Sequence, residues 1–112
     1  MKTYRTIILP HFKKQLKPLV KKYPSLKESF IETFDAFIPT NNISLGHNLY
    51  KIRLSPKELN KGKSKGLRCV VLCIEQDGYI VPVTIYSKSD KASVSVKELE
   101  AHTEMILFEL VE

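Results

Sequence analysis

The apolar and polar positions of this chain change period several times, and the changes mark its elements. Residues 4–9 (Tyr-Arg-Thr-Ile-Ile-Leu) are rich in β-branched and aromatic types and read as a strand. Pro10 ends that run and suits the first position of a helix. Phe12, Leu16, Leu19 and Tyr23 follow at spacings of four, three and four, which makes one apolar helical face. Lys13, Lys14, Lys17 and Lys21 fall mostly elsewhere, and Pro18 removes one backbone bond, so a kink is expected there. Tyr23-Pro24 makes a break. Ser25 and Glu28 have the spacing of a capping box, and Leu26, Phe30, Phe34 and Phe37 define a second amphipathic helix ending near Pro39. Residues 40–48 are polar, contain Gly46 and read as a loop.

The second half alternates with a period of two. Residues 49–54 form a strand with Leu49, Lys51 and Arg53 on one face and Tyr50, Ile52 and Leu54 on the other. Residues 55–66 are a basic loop, 67–75 a long strand and 79–86 its partner, joined through a two-residue Asp77-Gly78 hairpin turn. Pro82 inside the last strand implies an edge position or a bulge. Ser95 and Glu98 repeat the capping-box spacing, so a short C-terminal helix starts at Val96. The order predicts a single α+β domain over residues 1–112. It has an N-terminal strand and a two-helix hairpin packed on an antiparallel-rich sheet of about four strands.

Charge adds a direction to this outline. The chain has 112 residues, 43% of them hydrophobic, and a net charge of +6. Residues 51–68 carry Lys51, Arg53, Lys57, Lys61, Lys63, Lys65 and Arg68 against one acid, Glu58, so this stretch holds the whole excess. Such a patch attracts polyanions, phosphate backbones first among them, although a solvated lysine-rich loop carries the same charge. Lys51 and Arg53 share a strand face and repel each other unless something anionic lies near. Cys69 and Cys73, four apart in a strand, have Cα atoms ~13 Å apart, too far for a bridge. Two buried thiols, no secretory signal and no membrane-length apolar run point to the cytoplasm.

Other chemistries find no support. His11, His47 and His102 are scattered without metal-ligand spacing, and no serine elbow or Cys/His pair is present. Gly62-Lys63-Ser64 has the end of a phosphate-binding P-loop, but the glycine that motif needs five residues earlier is Lys57.

Four segments in order resemble the RelE/ParE toxin superfamily, which includes RelE-like and HigB-like toxins of type II toxin–antitoxin systems. Residues 12–24 (FKKQLKPLVKKYP) are similar to its first helix, and Leu45-Gly46 with residues 49–54 (LYKIRL) to its loop and second strand. Residues 62–70 (GKSKGLRCV) resemble its "GKSGGxRVI" stretch, and residues 85–90 (IYSKSD) its "IYxKxE/D" signature. The likeness spans roughly residues 4–100. It departs at Ser89, where the family toxin has arginine, at Lys65 in place of a glycine, and at Ser95, near the position of a catalytic tyrosine.

The resemblance implies a ribosome-dependent mRNA endonuclease that inhibits translation, works without metal or cofactor through the RNA 2′-hydroxyl, and is silenced by a cognate antitoxin. Its expected partners are ribosome and mRNA, with DNA met only through the antitoxin complex and no membrane. Carried over by position, Lys51, Arg53, Arg68 and Lys88 are the catalytic cations, and Tyr86 is the tyrosine nearest the missing one. Lys57, Lys61, Lys63, Lys65 and Lys91 are the expected RNA or ribosome contacts. Two alternatives remain open on the same fold: a ParE-like, non-enzymatic inhibitor of DNA gyrase, and a catalytically inactive nucleic-acid-binding module.

Overall fold

A computed structural model describes residues 4–59, 66–89, 91 and 93–111. The chain runs β1 (Arg5–Thr6), α1 (Pro10–Lys22), α2 (Leu26–Asp35), a 3-10 turn (Pro39–Asn41), β2 (Ile43–Gly46), β3 (Leu49–Leu54), β4 (Leu67–Ile74), β5 (Tyr79–Ser87) and α3 (Val96–Leu110). The strands form one sheet in the order β1-β5-β4-β3-β2. β2 to β5 are successive antiparallel neighbours, and β1 joins β5 in parallel. This is the expected α+β fold, with five strands rather than about four.

The additional strand is β2, within the stretch read as a loop. It pairs with β3 through a two-residue turn, His47-Asn48, flanked by the Gly46–Leu49 pair. Both turn residues have positive φ, 53° and 64°. That is the type I′ geometry, whose twist matches the flanking strands. Its usual Asn-Gly signature is absent here, which hid the hairpin. β1 is only two residues long: the Ile7 amide makes a last bond to Ile80 O at 3.0 Å before the chain turns to Pro10 at the start of α1.

Other expectations meet specific corrections. α1 spans Pro10–Lys22 with Pro18 inside it, as one helix up to the expected break at Tyr23-Pro24. α2 ends at Asp35, short of Pro39. Ser25 does sit at the α2 N-cap, but its backbone is helical and its side chain caps nothing. Instead its hydroxyl donates to Glu58 at 2.6 Å and accepts the Lys57 amide at 2.9 Å, tying the helical hairpin to the segment after β3. The second capping box forms as expected, with Glu98 N bonded to Ser95 Oγ and Ser95 N to the Glu98 carboxylate, both at 3.0 Å. The helix it opens is 15 residues long, not short. The β4–β5 connection is a four-residue turn over residues 75–78, because Ile74 and Tyr79 are the last pair and Gly78 N bonds Glu75 O. Pro82 lies at a bulge: Val70 pairs with Thr84 and Val71 with Pro82, leaving Val83 over. β5 is an interior strand, so the edge alternative falls.

The core is built from Phe12, Leu26, Phe30 and Phe34 of the helical hairpin against Ile52, Leu54, Leu67, Cys69, Val71 and Ile85 of the sheet. Phe30 and Phe34 stack at 4.1 Å between ring centroids. Burial of this kind is worth about 1.5–3 kcal/mol per large side chain. α3 lies against α1 and β5, with Ile106 fully buried. Gln15 of α1 closes the bulge: its amide donates to Val83 O at 3.1 Å and accepts from the Thr84 hydroxyl at 2.6 Å. No helix among the described residues is long and apolar enough to cross a membrane.

Candidate nucleic-acid interface

Residues directly opposite in an antiparallel ladder share a face. Arg53 is opposite Arg68, and Arg68 is opposite Tyr86. Ile43 is opposite Lys51, and Lys51 is opposite Val70. Lys51, Arg53, Arg68, Tyr86 and Ile43 therefore stand on one face, with Ile52, Leu54 and Cys69 on the other, in the core. The expected alternation along β3 is what turns Lys51 and Arg53 away from the core.

Asn41, Asn42, Ile43, Lys51, Arg53 and Arg68 line one hollow of about 220 Å³ on this face. Among the described residues it brings together three cations and no acid. Arg53 is exposed, whereas Arg68 is only 5% exposed, and the one hydrogen bond its guanidinium makes within the described residues is a long 3.4 Å contact from Nη1 to its neighbour Leu67 O. Burial, and then the charge of Arg53, push the Arg68 guanidinium below its ordinary pKa. A buried cation without a carboxylate is costly, and an incoming anion relieves that cost. Gly66 makes the arrangement possible: a Cβ there would lie 3.0 Å from Leu54 O and 3.3 Å from Arg68 Nη1.

Tyr86 is buried beside this row. Among the described residues its hydroxyl has no hydrogen bond of ordinary geometry, and the backbone of Val94 and the cations Arg68 and Lys91 are its polar neighbours. Burial raises its pKa, against the opposing pull of Arg68. At neutral pH it is a protonated phenol without a fixed acceptor.

The other candidates are dispersed. Lys88 is exposed past the end of β5, where its amide donates to Gly66 O at 3.1 Å; it does not line the hollow. Lys91 is paired with Glu98 at 2.7 Å, which holds that carboxyl down at about 2. Lys57 lines a separate cleft with Ser25, Glu28 and Glu32. Lys61, Lys63 and Lys65 lie outside the described residues. Asn41, Asn42 and Ile43 were not singled out from the sequence. Short polar residues before an unrecognised strand carry no signal until β2 brings them alongside β3. Among the described residues no group of three or more metal-ligating side chains comes together.

No protein-family model matches this chain, and no curated protein does. A solved structure does. The chain is similar to a double arginine-to-alanine mutant of the E. coli toxin RelE in the free state, with a TM-score of 0.59 over 88% of this chain and 96% of that one, at 20% sequence identity. Strand order, the helical hairpin on one face and the C-terminal helix thus belong to a known architecture, and this protein has the RelE-like toxin fold.

Proposed function

We propose that the protein is the toxin of a type II toxin–antitoxin system and that it cleaves mRNA on the ribosome. The observation that carries this reading is the hollow in which Lys51, Arg53 and the buried Arg68 share one face with no acid among the described residues that line it. In such cleavage the ribose 2′-oxygen attacks the adjacent phosphorus, the bond to the 5′-oxygen breaks, and the products are a 2′,3′-cyclic phosphate and a 5′-hydroxyl. The 2′-hydroxyl loses one proton and the leaving oxygen gains one. The extra charge on the phosphorane is the step that fixed cations in a partly dry site favour most. Arg68 takes that role. Lys51, Arg53 and Lys88 orient the phosphate and share proton transfer, and Tyr86, protonated and unsatisfied, is a donor for the leaving oxygen.

Lys57, Lys61, Lys63, Lys65 and Lys91 are proposed to contact ribosomal RNA, with Lys91 released from Glu98. A cognate antitoxin would neutralise the hollow. An apolar groove between α1 and α2, with Ile8 and Ile31 exposed beside it, offers surface for such a partner to bury. The cytoplasm, where ribosomes are, is the proposed compartment.

The exposed, outlying position of Lys88 favours a second reading, a nucleic-acid-binding module without catalysis. The experiment that separates the two is cleavage of mRNA on programmed ribosomes, with naked mRNA and Arg68→Ala as controls. Cuts on the ribosome alone, lost in the variant, support the endonuclease. RNA binding without cuts supports the inactive module. Neither binding nor cuts, together with inhibited DNA supercoiling, would move the assignment to a gyrase inhibitor.

A further inference from the structure

We infer that Asn42, flanked by Asn41 and Ile43, forms a nucleobase subsite in the wall of the cationic hollow, and that it selects bases with an amino group at purine C6 or pyrimidine C4, adenine or cytosine, over those with a carbonyl at that position. This rests on the nucleic-acid reading above and adds which part of the nucleotide the uncharged wall takes.

The hollow has two unlike sides. Lys51, Arg53 and Arg68 come from β3 and β4, and Asn41, Asn42 and Ile43 from the 3-10 turn and the start of β2. A phosphate held by the cations leaves the other side for the rest of the nucleotide. Ile43 is 61% exposed, and its pairing with Lys51 puts it on the same face as the cations. Among the described residues nothing covers this apolar side chain beside three charges, and the flat face of a base is a suitable cover.

Asn42 supplies the direction. Its Nδ2 donates to Ile38 O at 2.9 Å. A carbonyl only accepts, so the amide nitrogen must face Ile38 and the orientation of the group is fixed. The atom left over is Oδ1, which only accepts. The group in question is the substituent at purine C6 or pyrimidine C4, which stands at the outer end of the base edge. Adenine and cytosine present an amino donor there, which Oδ1 accepts. Guanine and uracil present a carbonyl, which meets Oδ1 lone pair to lone pair. Asn41 is exposed and can donate or accept beside it.

The test compares adenosine and inosine 5′-monophosphates, nearly equal in shape, in which the C6 amino donor and bare N1 of adenine become a C6 carbonyl and an N1–H, with inorganic phosphate as a third probe. Binding is followed by chemical-shift titration. The expected result is about three- to tenfold tighter binding of the adenosine nucleotide, the range of one neutral hydrogen bond. Asn42→Ala removes that preference. Ile43→Ser, at an exposed position, weakens both nucleotides and leaves phosphate affinity unchanged. Equal binding of the two nucleotides, or nucleotide affinity untouched in Ile43→Ser, would overturn the inference.

Ribosomal cleavage with adenosine replaced by inosine at each codon position in turn separates this subsite from the endonuclease reading. Cleavage that ignores every replacement sinks the subsite and leaves the endonuclease standing. An amino preference in binding with no cleavage at all does the reverse.

Discussion

Arg53 of β3 and Arg68 of β4 stand directly opposite each other in the antiparallel ladder, and among the described residues no carboxylate lines the hollow they share. Like charges at opposing positions destabilise a sheet by about 0.2–1 kcal/mol. Folding alone does not favour the pair. An anion bound between them reverses the sign of the interaction.

Arg53→Gln is therefore expected to raise thermal stability slightly in low-salt buffer while weakening anion binding. Phosphate at constant ionic strength should raise the Tm of the wild type and have a much smaller effect on the variant. An equal rise in both proteins would mean that the pair is not where the anion binds.

Gly66→Ala tests the space behind Arg68. The new Cβ would meet Leu54 O at 3.0 Å, a backbone atom that cannot swing aside, and Arg68 Nη1 at 3.3 Å. The expected loss is about 1–3 kcal/mol in urea unfolding, in the range for overpacking. RNA binding should fall further than the unfolded fraction accounts for, because the guanidinium is displaced as well.

Gln15→Leu should cost about 1–3 kcal/mol, since it leaves the Val83 carbonyl and the Thr84 hydroxyl without their partner. Adding Thr84→Val should recover part of the loss by removing one of the stranded groups. A double-mutant cycle with strictly additive effects would show that the bulge does not depend on this contact.

Acidification should loosen the seam between α1 and α3. His11 Nε2 and His102 Nδ1 are 2.8 Å apart, which accommodates one hydrogen between the rings and not two. His11 Nδ1 is buried and has no hydrogen-bond partner among the described residues. Burial, and then the nearby His11, hold His102 below its ordinary 6.5, with Glu98 opposing and Lys91 assisting. Glu109 accepts the His11 backbone N–H at 3.0 Å from the same helix. A histidine with a lowered folded pKa contributes stability that is complete above about 6.5 and is lost as pH falls from there through the folded value. Unfolding followed from pH 7.5 to 5 should show this loss, and His102→Gln should flatten it. An unchanged slope in the variant would assign the loss to another group.

Much of this protein is written locally. The helical faces through Phe12 and Phe30, the alternation along β3 that puts Lys51 and Arg53 together, and the cap at Ser95 all follow from side-chain periodicity within a few residues. The same reading over-reached at Ser25, where Glu58, distant in sequence, outcompetes the local cap, because a free carboxylate accepts the hydroxyl more strongly than a backbone amide would engage it.

What the sequence by itself determined is the elements, the α+β class and the side of β3 that carries positive charge, since these depend on periods of two and 3.6 and on residue type. Tertiary structure alone decided which cations meet. Strand register set Arg68 opposite Arg53, and the His47-Asn48 turn folded β2 back so that Asn42 and Ile43 line their hollow. It also left Lys88 and Lys57 outside that hollow and joined His11 to His102 across the chain. The physical reason is that pairing register and turn handedness are settled by packing between distant segments, and a one-residue slip would turn every one of these side chains to the opposite face.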